Sequence, residues 1–97
     1  MINISWMKVW WIAYNKKLFD GDLPMPAFRV SDFEHYGEYD YEAIVLSSRI
    51  TTLDAAKATL LHEMVHQWQH MHIKPVNHGH EFQTWRELIM SATNLEI

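Results

Sequence analysis

Ninety-seven residues with 48% hydrophobic content, five tryptophans and no cysteine make one globular domain over residues 1–97, and exclude disulfides and thiolate metal sites. Eight basic residues against twelve acidic ones give a net charge of −4, without the basic stripe that announces a nucleic-acid binder. No apolar run approaches a membrane span and the N-terminal stretch lacks a signal peptide's basic start and cleavage site, so the expected setting is cytoplasmic, with no membrane partner.

Met7, Trp10, Trp11, Tyr14 and Leu18 recur at helical spacing and predict an amphipathic first helix. It ends in "FDGDLP", where Gly21 can take the left-handed C-terminal position and Pro24 forbids continuation. "AFRVSDF" and "YEAIVLSSRI" are short stretches rich in β-branched and aromatic residues, read as strands, with a turn and a short middle strand in "EHYGEYDY" between them. Thr51 with Asp54 reads as the capping pair of a second helix. Its expected buried stripe is Leu53, Leu60, Met64, Trp68 and Met71, and it should end near His72, ahead of Pro75. After the loop "KPVNHG", a last helix turns Phe82, Trp85, Leu88, Ile89 and Ala92 inward. The five tryptophans follow helical spacing and read as packing. The expected fold is α+β, a small antiparallel sheet packed with three helices.

The second helix carries "LLHEMVHQWQH". His62 and His66 lie four apart, so both rings sit on one face, roughly 6 Å apart along the axis. Two imidazole nitrogens can then meet one zinc ion at about 2.0–2.1 Å. Glu63 is no ligand in this H-E-x-x-H arrangement; it leans over the metal edge, placed to take a proton from an activated water. A third ligand is needed, and the candidates are His70, His72, His78, His80 and Glu81. His70 lies roughly 12 Å along the axis from His62, too far to share one ion, and His72 points elsewhere near the helix end. "NHGHEF" opens the last helix after a loop long enough to fold back, with Gly79 allowing close backbone approach, so His78 or His80 closes the site.

Four stretches together resemble the SprT-like, or Spartan-type, metalloprotease core: "YNKKLFDGDLP", "GEYDYEAIVLSSRI", "LLHEMVHQWQH" and "HGHEFQTW". The last is similar to the family's H-G-x-x-F stretch, whose first histidine is the third zinc ligand, so the resemblance selects His78 over His80. It implies a minimal zincin-like core and a zinc-dependent endopeptidase with Glu63 as catalytic base and His62, His66 and His78 as metal ligands. The substrate so implied is a protein or peptide, including proteins bound to DNA. The acidic balance predicts at most weak nucleic-acid contact, and not through a basic patch. An extended substrate is expected to pair with a sheet edge, placed at the strand around Ile44 to Leu46. Tyr36, Tyr39, Tyr41, His80 and Arg86 are the candidates for steadying the oxyanion. The alternative is a binding or adaptor module of the same fold, stabilised by zinc and with little or no proteolytic activity.

Overall fold

The computed structural model describes residues 2–97; Met1, first residue of the stretch read for a signal peptide, lies outside them. Three helices, α1 (Ile4–Leu18), α2 (Leu53–Met71) and α3 (His80–Thr93), pack with three strands, β1 (Ala27–Ser31), β2 (Gly37–Tyr39) and β3 (Ala43–Ser47). The arrangement is α+β, as expected. No described helix is long and apolar enough to cross a membrane.

Asn3 caps α1 by accepting from the Trp6 amide at 2.8 Å. Met7, Trp11 and Tyr14 are buried from this helix, while Trp10 and Leu18 are half-buried against the core. The exit follows the sequence reading: Gly21 sits at φ 71°, and its amide bonds back to the Asn15 carbonyl at 2.9 Å. Asn15 is itself buried and straps the turn, its carboxamide bonding both the amide and the carbonyl of Leu23. Of the five tryptophans, Trp11 is buried and the other four pack half-buried against the core, as the helical spacing predicted.

The sheet departs from expectation. It is mixed rather than antiparallel, in the order β1-β3-β2, with β1 parallel to β3 and β2 antiparallel to it. The segment 32–42 is long enough to carry the chain back for a parallel pairing and leaves β2 on the far side. The substrate edge placed at Ile44 to Leu46 is therefore wrong. That strand is central, paired on both sides, and every residue from Ala43 to Ser47 is buried. A continuous apolar run such as "AIVL" marks a strand covered on both faces, not an edge. The free edges belong to β1 and β2.

The cap of α2 is Thr52 rather than Thr51. Its hydroxyl accepts from the Ala55 amide at 3.1 Å, and Asp54 stands in the first turn without closing a box with Thr51. Leu60 and Met64 form the heart of the core, and truncating Leu60 to Ala should cost about 2–5 kcal/mol. Leu53 and Met71, assigned to the buried stripe, are exposed because the two ends of α2 run past the core. Between residues 59 and 69 the helix is buried nearly all round, with the sheet on one side and α1 and α3 on others. On α3, Phe82 and Ile89 are buried and Trp85 stacks on Phe19, whereas Leu88 and Ala92 are exposed, so its inward face is narrower than the periodicity predicted. Asn94 takes the left-handed conformation, φ 62°, and sends residues 95–97 back toward α2.

Candidate metal centre

His62 and His66 project from one face of α2, and the loop before α3 brings His78 to them. Their Nε2 atoms form a near-equilateral triangle: 3.2 Å between His62 and His66, 3.1 Å from His78 to each. Three nitrogens held by a tetrahedral ion at about 2.0–2.1 Å would stand about 3.3–3.4 Å apart, close to this triangle. The other ring nitrogens show why the triangle suits a cation. His62 Nδ1 lies 2.9 Å from the Ile97 carbonyl oxygen, which can only accept, so this nitrogen carries the proton. His66 Nδ1 lies 2.9 Å from Gln69 Oε1 and donates in the same way. Both Nε2 atoms therefore present bare lone pairs to each other, a repulsion that a shared cation turns into coordination. The donor set fits a borderline-soft divalent ion, and among the described residues this trio is the group of three placed to hold one.

Phe82, 3% exposed, packs against all three imidazoles with ring centres 4.8–5.1 Å away. Burial lowers the pKa of His62 and of His66, chiefly by desolvation, with the positive charge of neighbouring histidines acting in the same direction. The shift favours the neutral imidazole, the form that binds metal, against the opposing pull of the hydrogen bonds to Ile97 and Gln69.

Glu63 is 5% exposed and faces a cleft of about 420 Å³, lined by Tyr36 and by Gly37 at the start of β2, by Ala55, Ala58, Thr59 and His62 of α2, and by Glu96 and Ile97. Desolvation, helped by the negative charge of Glu38 on β2, pushes its pKa from 4.5 up to about 7. Gly37 is required where β2 crosses α2: a Cβ there would stand 2.7 Å from the Thr59 methyl and 3.1 Å from the Val45 carbonyl oxygen. At the other end of the cluster, Gly79 donates to Asn77 Oδ1 at 2.9 Å, and a Cβ on it would meet that same oxygen at 2.9 Å.

The remaining candidates lie apart from the triangle. His80 is the first residue of α3 and is exposed, His70 Nδ1 bonds Tyr39 Oη at 2.8 Å, His72 approaches Asp22, and Glu81 approaches Lys74. Of the five residues named for the oxyanion, Tyr36 lines the cleft; Tyr39 and Tyr41 pack on His70, and Arg86 pairs with Glu96. Sequence reasoning missed Gln69 and the Ile97 carbonyl. Gln69 had one available signal, a polar residue three positions after His66 on the same helix; a backbone carbonyl distant in sequence had none.

An α+β fold with three imidazoles close enough to share one metal ion is the arrangement of a metalloprotease-like domain. Residues 8–97 match the SprT-like family, and the chain belongs to it. Among curated proteins, none matches the chain.

Proposed function

We propose that this chain is a zinc-dependent endopeptidase in which His62, His66 and His78 hold the ion and Glu63 is the general base. The observation that carries the reading is the convergence of three Nε2 atoms beside a buried carboxylate in an open cleft. Zinc, when bound, supplies Lewis acidity, which lowers the pKa of water and polarises a peptide carbonyl. Glu63, the buried carboxylate on the cleft, accepts the proton of the attacking water and delivers it to the leaving amine. Tyr36, on the cleft wall, is the donor best placed to steady the oxyanion. The substrate backbone lies along β2, the sheet edge beside this cleft, as an added strand. The substrate is a protein or peptide, and the acidic balance argues against recruitment through DNA by the chain itself.

Cleavage of an unfolded protein such as casein by zinc-loaded chain, its loss on chelation, and its recovery on zinc addition test the reading. No cleavage by a fully zinc-loaded chain, with or without single-stranded DNA, would refute it. One observation favours the second reading, a zinc-stabilised binding module. Glu96 and Ile97 form part of the cleft wall and narrow the space a substrate must enter. One bound zinc, a raised Tm and no cleavage is the outcome that supports the module.

A further inference from the structure

Gln69 is 1% exposed and lies one turn beyond His66 on α2. Its carboxamide has two partners. Nε2 donates to the Asn77 carbonyl oxygen at 2.9 Å, and Oε1 lies 2.9 Å from His66 Nδ1. A carbonyl oxygen can only accept, so the amide end of Gln69 must face Asn77 and the oxygen end must face His66. His66 Nδ1 must then carry the proton, and its Nε2 is left bare and directed at His62 and His78. Asn77 directly precedes His78. The backbone that seats one ligand thus dictates, through a single side chain, the tautomer of another.

The rest of the loop is tied down to match. Asn77 Oδ1 accepts from the Gly79 amide at 2.9 Å, and Gln83 Nε2 donates to the His78 carbonyl oxygen at 3.1 Å. We propose that Gln69 is a positioning residue that couples two of the three histidines, fixing His66 in its metal-ready tautomer only when the loop bearing His78 is seated. This rests on the zinc reading above for its consequence, though not for the tautomer itself. A side chain with only an acceptor, or with neither group, cannot hold both contacts. A buried amide serves because it donates at one end and accepts at the other.

Gln67 provides the control. It is also buried, 2% exposed, and also makes two hydrogen bonds, from Trp11 Nε1 at 3.1 Å and to the Pro24 carbonyl oxygen at 2.6 Å, but it touches no histidine of the triangle. Gln69→Met and Gln67→Met should therefore both lower Tm. Only Gln69→Met should raise the zinc Kd, by about 10–100-fold, measured by competition with a chromophoric chelator. In metal-free protein, long-range proton–nitrogen spectra of the imidazoles should show His66 protonated at Nδ1 in the wild type and in Gln67→Met, and shifted toward Nε2 in Gln69→Met. Gln69→Glu, which keeps the acceptor for His66, should restore the Nδ1 tautomer, and it decides the question if Gln69→Met does not fold. Zinc affinity within about twofold of wild type in Gln69→Met, an equal loss in Gln67→Met, or an Nε2-protonated His66 in Gln69→Glu would each overturn the proposal. A wild-type chain that binds no zinc would defeat the metal reading separately, and the tautomer spectra would still decide the role of Gln69.

Discussion

Replacing Glu63 by glutamine should stabilise the metal-free protein while abolishing its hydrolysis. The carboxyl is 5% exposed, and its pKa rises from 4.5 to about 7 on folding. For an acid raised in this direction, the favourable contribution is complete below the unfolded pKa and is lost as pH climbs through the folded one. At 1.36 kcal/mol per pH unit, the raised pKa costs the folded chain about 3 kcal/mol at pH 8, where its carboxyl is largely ionised, and about 1 kcal/mol at pH 5, where folding must protonate it. Glutamine keeps the shape and carries no charge, so Glu63→Gln should gain about 3 kcal/mol over wild type at pH 8, a Tm rise of roughly 10 °C or more for a domain of this size. Urea unfolding of both proteins in chelator, at pH 5 and pH 8, measures the gap. His62 and His66 have lowered pKa values and weaken the fold as pH falls, but they are common to both proteins and largely cancel in the difference. Added zinc should narrow the gap, since a nearby dication favours the carboxylate. A metal-free Glu63→Gln no more stable than wild type at pH 8, or a gap that does not grow with pH, would refute the reasoning.

His78→Ala should lose zinc and lower the Tm of the zinc-loaded protein, while His80→Ala should keep both; full zinc in His78→Ala would break the ligand assignment. Ile73, 93% exposed, sits at φ 55° just past α2, a conformation that disfavours a β-branched residue, so Ile73→Gly should stabilise by about 1 kcal/mol in thermal unfolding. With eight basic residues against twelve acidic, the chain should bind duplex DNA no better than weakly at physiological salt; a submicromolar Kd by fluorescence anisotropy would overturn this and restore a DNA-dependent protease.

Part of the candidate site's clustering was legible because a helix imposes its own geometry: residues four apart must share a face, so the pairing of His62 with His66 needed no tertiary information. His78 needed more. Periodicity and loop length left it level with His80, and the likeness of "HGHEFQTW" to a known stretch separated them. The structure shows the physical difference: His78 lies in the loop that Gln69 and Gln83 tie down, whereas His80 begins α3 and is exposed. The sheet was misread for a related reason. Strand identity follows from local composition, but pairing direction and order depend on what lies across the sheet, and "EHYGEYDY" carries no local mark of a crossover. The signal that was present and unused was the unbroken apolar run of β3, which marks a central strand.

The stripe assigned to α2 erred in a way that bears on function. A single apolar stripe fits a helix with one buried face, and α2 has more than one. Glu63, His66, Gln67 and Gln69 lie within its most covered stretch, all less than a tenth exposed. Burying polar groups costs free energy unless each finds a partner, and three of these four do: His66 with Gln69, Gln69 with Asn77, Gln67 with Trp11 and Pro24. Glu63 instead faces the cleft with desolvation uncompensated, and in the metal-free chain its pKa moves up to about 7. The position that makes this residue the least comfortable charge on α2 is the one in which the proposed peptidase reading needs a base. On that reading stability and activity pull in opposite directions at one carboxyl group, and a substitution there should raise the first as it removes the second.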